Sequence, residues 1–231
     1  MEARRHTPSI PGLAAGGASA IGSVLAGAAR QVTRLRRSSK PLHPAGTVVL
    51  GTLTRTESAD SGVAWLDSIG TDEVLVRLSR AVGLPGALPD IYGLALRIPA
   101  GGGHSDVLLA STGLGRLTRF LLTAGRDITA RPLTTLIPYQ TSRGPLMIAA
   151  DPVTGEPGDG STGLRFELLW SIGFGPWVNF AELVIPSTSG PDPDISFDAV
   201  AHPPPGLRNY PWVRRVREPA YLAARETSGR G

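Results

Sequence analysis

The sequence predicts a mainly β protein with flanking helices, a minimal single domain folded as a closed antiparallel β-barrel. Three observations carry that expectation. From residue 47 onward the apolar residues come in short runs rich in Val, Leu and Ile, of strand rather than helix length. The chain holds 29 glycines and 21 prolines among 231 residues, a density of turn formers that suits short strands and not a helical bundle. Apolar residues make up 41% and charged residues 18%, which gives one β-rich domain a real core and excludes a wholly disordered chain. Closing such a sheet removes its edge strands and leaves a mouth or cavity for a ligand.

The elements follow in order. Strands are expected at 47–55, 74–80, 91–98 and 106–111, separated by Gly, Pro, Asp and Ser clusters. The stretch 114–124 (LGRLTRFLLTA) reads as a helix. Strands resume at 133–139, 146–150, 164–173, 178–186 and 195–201, with a Gly/Asp/Pro loop over 151–163. After His202 and three consecutive prolines, 212–225 gives a second helical pattern.

Residues 1–40 stand apart from the barrel segment 41–231. They carry Arg4, Arg5, Arg30, Arg34, Arg36, Arg37 and Lys40 against Glu2 alone, whereas the whole chain is only +4. Ile21, Val24, Leu25, Ala28, Val32 and Leu35 share one helical face, and Arg30, Arg34 and Arg37 another. An amphipathic helix over 18–37 follows. It can pack on its own domain, cover a partner, or make a peripheral membrane contact on an anionic surface. Arg4-Arg5 resembles the start of a twin-arginine export signal, but Pro8, Pro11 and weak hydrophobicity oppose that reading. No stretch approaches the ~20 apolar residues of a spanning helix. A cytoplasmic location is expected. A net charge this small gives no case for a nucleic-acid partner. The absence of cysteine excludes disulfides, thiolate metal sites and thiol catalysis. Lys40 is the only lysine.

Several motifs dissolve on inspection. Gly113-x-Gly115-x-x-Thr118 lacks the third glycine of a dinucleotide fingerprint and sits outside any βαβ order, so it reads as a tight turn. Gly101-Gly102-Gly103-His104 reads as a hairpin turn. Asp159-Gly160-Ser161-Thr162-Gly163 lacks the first glycine of a nucleophile elbow. Asp192-x-Asp194 has no calcium-loop spacing. His6, His104 and His202 lie in loops or turns, and none belongs to a zinc-type spaced pair.

His43 is different. It stands in Lys40-Pro41-Leu42-His43-Pro44-Ala45-Gly46, followed by Leu50-Gly51, at the entrance to the first strand. This stretch resembles the start of the haem-catalase barrel, where a distal histidine precedes one glycine by three residues and another by eight. Lys40 fills the place of an arginine that reaches a haem propionate. Val76-Arg77-Leu78-Ser79 resembles the family's Val-Arg-Phe-Ser strand, whose arginine contacts a propionate and whose serine hydrogen-bonds the distal histidine. Asp90 to Arg97 and Ser105-Asp106-Val107-Leu108 track the next two strands. Arg217-Glu218-Pro219-Ala220-Tyr221 is similar to the Arg-x-x-x-Tyr of the proximal helix, whose tyrosine binds iron as phenolate. The resemblance covers roughly 40–111 and 205–225.

The resemblance implies haem b held by Tyr221, with Arg217 favouring the phenolate. It implies Arg77 and Lys40 on the propionates, and His43 as distal acid/base with Ser79 beside it. The implied activity is haem-dependent oxidation by hydrogen peroxide or an organic hydroperoxide. Ala110 and Ser111 stand where the family has an Asn-Asn pair, which implies weak dismutation. The alternatives are a non-catalytic barrel carrying haem or lipid to a membrane or partner, and a haem-free barrel hydrolase for which no nucleophile–base pair speaks. The oligomeric state is left open, a homo-oligomer included.

Overall fold

The computed structural model describes residues 45–80, 88–153, 163–191, 193 and 195–213. Nine strands dominate them: β1 (Ala45–Arg55), β2 (Gly70–Arg80), β3 (Tyr92–Ala100), β4 (Gly103–Ser111), β5 (Leu133–Thr134), β6 (Tyr139–Thr141), β7 (Gly144–Pro152), β8 (Leu164–Ile172) and β9 (Val178–Ile185). The hydrogen-bonded order runs β5-β4-β3-β2-β1-β9-β8-β7, and β5 pairs back onto β7 to close the ring. The result is an eight-stranded antiparallel barrel, with β6 added to the free end of the same β7 edge. Closure leaves no long edge strand in the ring, as expected from the sequence.

Alternation along the strands fills the interior. Val74 and Val76 of β2, Leu94, Leu96 and Ile98 of β3, and Val107 and Leu109 of β4 meet Ile148, Phe166, Leu168 and Leu183 in one buried cluster. Each such side chain contributes roughly 1.5–3 kcal/mol by leaving water. The short helix α1 (Ala64–Asp67) places Trp65 and Leu66 in the same cluster. Asp67 fastens the loop before it, accepting hydrogen bonds from Ser61 N and Oγ and from Gly62 N at 2.7–2.9 Å.

Three expected elements come out differently. The segment 114–124 is not a helix: it forms one 3-10 turn, Thr118–Phe120. Gly113 and Gly115 fold around Thr118, whose Oγ1 would stand 2.5 Å from a Cβ on Gly113. The expected strand 133–139 is broken into β5 and β6, because Leu136 takes a positive φ of 60°. The stretch 195–201 is a strap and not a strand. Most of the second helical pattern, the segment 1–40 and most of the 151–163 loop lie outside the described residues.

Candidate functional site

Residues that alternate with the core positions of β1 to β4 face outward, and the strand registers arrange them in rows. One row is Gly46, Ser79, Gly93 and Ala110; the next is Val48, Arg77, Ala95 and Leu108; a third is Leu50, Leu75, Arg97 and Asp106. The first row carries almost no side-chain bulk. With strands ~4.8 Å apart it makes a flat strip about 14 Å wide. Arg77 and Ser79, both singled out from the sequence, therefore stand two residues apart on one face of β2, at the border of this strip.

Close packing joins the first two sequence motifs. A Cβ on Gly46 would stand 2.6 Å from Arg77 Nε and 3.1 Å from Leu78 O, so the guanidinium occupies space that only glycine leaves. Gly51 obeys the same rule on the opposite face, where a Cβ would meet Val76 Cγ2 at 2.9 Å. Both glycines spaced from His43 thus have a physical reason. Ser79 Oγ donates to Gly93 O at 3.3 Å. Its proton is engaged there, which leaves the hydroxyl's lone pairs to accept.

The third row is closed by a charged clasp. Arg97 makes a bidentate pair with buried Asp106, Nε to Oδ1 and Nη2 to Oδ2 at 2.9 Å each. Asp106 Oδ2 also accepts from Asp198 N at 2.7 Å, and Asp106 N donates to His202 O at 2.7 Å. Arg97 donates further to Ser196 O and lies 4.8 Å from the Phe197 ring centre. These contacts lash the strap 195–202 across β3 and β4. Beyond it, Ala199, Asn209 and Val213 line a small pocket with Leu108, Thr135, Ile137 and Tyr139. Tyr210 lies nearby in sequence, and burial pushes its phenol above the usual range, so it stays a neutral hydroxyl.

Among the sequence-selected residues, His43, Lys40, Arg217 and Tyr221 lie outside the described residues, as do His6, Asp192 and Asp194. Of the two positions where the resemblance leads one to look for asparagine, Ala110 faces the strip. Ser111 is buried and structural, donating to Thr123 O and accepting from Tyr92 N. The structure does bring two histidines together that sequence spacing kept apart: the rings of His104 and His202 lie 4.4 Å apart. Asp106 is 4.0 Å from His104 Nε2, but Arg97 and Asp198 N already engage its oxygens. Among the described residues no group of three or more His, Asp or Glu could hold a metal ion.

The closed eight-stranded antiparallel barrel is consistent with a catalase-like fold. No protein-family model matches the chain, and no curated protein matches it either. A solved structure described as that of a bacterial catalase superposes with a TM-score of 0.52 at 12% identity, covering 81% of this chain. The chain spans 59% of that structure's length. At this identity the likeness is one of fold. Among the described residues no helix is long and apolar enough to cross a membrane.

Proposed function

We propose that the outward strip of β1–β4 binds haem b and that the protein is a haem-dependent oxidoreductase using hydrogen peroxide or an organic hydroperoxide. The observation that carries this reading is the fit of Gly46 beneath Arg77. Two segments that resemble catalase motifs, some thirty residues apart in sequence, meet beside a flat row of Gly46, Ser79, Gly93 and Ala110. A planar macrocycle with carboxylate tails suits such a surface. The small residues let a ring approach the backbone, and a guanidinium at the border pairs with a carboxylate. His43, three residues before Gly46, is held by the covalent chain within about 11 Å of the strip's β1 edge. Arg217 follows Val213 by four residues, and Val213 lines a pocket with Leu108 of the second row.

Haem would supply a redox-active iron that takes up the oxidising equivalents of a peroxide. The chain's own residues would do the rest. Tyr221 would provide the iron ligand, with Arg217 favouring its phenolate. Arg77 and Lys40 would hold the propionates. His43 would take the proton of a hydroperoxide and return it to the departing oxygen. Ser79, with its own proton on Gly93 O, would accept the N–H of His43 and so fix which imidazole nitrogen faces the substrate. Ala110 leaves the place of a peroxide-orienting amide empty of polar atoms, which favours organic hydroperoxides over fast dismutation.

Stopped-flow mixing of the haem-loaded protein with hydrogen peroxide and with an organic hydroperoxide tests this. His43→Ala is expected to keep the haem, because no iron bond is lost, and to slow the reaction at least about a hundredfold. Equal rates in both proteins would remove the acid/base role and favour a haem carrier.

A further inference from the structure

Away from the strip, the segment 114–121 and the hairpin 173–178 form one surface. Arg119 is buried and donates to Leu114 O, Gly115 O, Ser171 Oγ, Gly173 O and Gly175 O at 2.9–3.3 Å. Trp177 Nε1 donates to Leu114 O at 2.7 Å, and the Phe120 and Phe174 rings meet edge to face. The two segments are therefore rigidly joined, and little ordering remains to be done on docking. Among the residues this joint exposes are three large apolar ones, Leu117 at 63%, Leu121 at 43% and Val178 at 40%, with Thr118 and Asn179 exposed beside them. Those three apolar residues are among the seven large hydrophobics exposed among the described residues. Arg116 is exposed next to Leu117.

Arg116 is the exposed cation of this tip: Arg119 is buried, and residues 113–126 and 171–181 hold no acid, with Asp127 and Glu182 directly following them. We propose that this tip is a docking surface for an anionic lipid bilayer, with Leu117 and Leu121 entering the interface, Trp177 behind them and Arg116 among the headgroups. Apolar side chains beside an arginine and an indole match that partner, which rewards both burial and positive charge. The other candidate occupants are basic too. The segment 1–40 and a second copy of the same tip would each bring arginines against Arg116.

Vesicle co-flotation of the full chain tests the proposal, with phosphatidylcholine alone and with phosphatidylcholine mixed with phosphatidylglycerol. Binding is expected on the anionic vesicles only. Arg116→Ser is expected to weaken it about fivefold, the worth of one basic residue at an anionic surface. Leu117→Ser with Leu121→Ser is expected to weaken it at least about tenfold. Both sites are exposed, so an unchanged thermal midpoint shows that the fold is kept. The basic segment 1–40 is intact in every variant. Anionic binding that survives the double Leu variant undiminished would assign it elsewhere and overturn the proposal. So would a failure of the wild type to bind either vesicle, the outcome expected if an acidic protein is the partner.

Discussion

Among the described residues, two covers on the outside of the barrel each have a guanidinium at their centre. Over β3 and β4, Arg97 reaches a carboxylate, and the Arg97–Asp106 pair gathers the strap 195–202 by its backbone. Over β7 and β8, Arg119 reaches only carbonyls and one hydroxyl, with the Trp177 ring 4.5 Å away. Burial first, then neighbouring Arg116, lowers the pKa of that guanidinium, and no carboxylate accompanies it. Phe120, Leu136 and Met147 pack beside it, so this cover is filled with apolar side chains. Near the first cover lies a row of glycine, serine and alanine. The difference is one of side-chain bulk: one outer face is filled by its own large side chains, and the other carries a row of small residues with the strap pinned at its border.

Replacing the two central groups separates the covers, and the largest effect is expected at Arg119. Arg119→Met removes five hydrogen bonds, although Leu114 O keeps Trp177 Nε1 and Gly175 O keeps Ser171 Oγ, and should cost about 3–4 kcal/mol in urea unfolding. Because no ion pair is lost, that cost should change little with salt. Asp106→Asn keeps the volume but breaks the bidentate pair, and about 2 kcal/mol is expected. Limited proteolysis should then cut within 195–202 before it reaches the 173–178 hairpin; the reverse order would show that the clasp does not hold the strap. Gly46→Ala should cost only about 1 kcal/mol, since the Arg77 side chain can swing away from the added methyl.

The smallest effect has the opposite sign. Asp151 lies beside Glu167 on adjacent strands, and burial first, then the Glu167 charge, raises its carboxyl above the usual range. A carboxyl raised in the fold is ionised there at a cost at neutral pH, and that cost is relieved as pH falls through its folded value. Asp151→Asn should therefore stabilise the protein by about 0.5 kcal/mol at pH 7, with the gain fading in acid. A destabilised Asp151→Asn would show that its charge is used.

The strands were legible because Val, Leu and Ile alternate on β2, β3 and β4 with residues that face out. The hairpin was legible from Gly101 and Gly102, which adopt φ of +40° and +91°. Counting back from that turn places Arg97 opposite Asp106, so the clasp was within reach of the sequence once the register was drawn. The strap was not. Phe197, Asp198 and Ala199 are buried in succession, without the alternation of a strand; Phe197 packs on Arg97, Asp198 N donates to Asp106, and no ladder forms. The apparent helix at 114–124 failed for a related reason: Leu117 and Leu121 fall on one helical face, yet both are exposed, and Arg119 turns inward instead. The contact of Arg119 with Ser171 spans 52 residues and leaves no local signal. Of the expected site, Arg77 and Ser79 share the strip with Gly46, whereas His43, Lys40, Arg217 and Tyr221 rest on the resemblance.

Haem binding by the outward strip is the central claim, and an absorption titration of the purified chain with haem b tests it most directly. A Soret band that saturates at one haem per chain is expected for the wild type. About tenfold weaker binding is expected for Gly46→Leu, which displaces Arg77 and so removes one charge-assisted contact. Loss or a changed iron signature is expected for Tyr221→Phe. A wild-type titration that never saturates, or a band indifferent to both substitutions, would contradict the account.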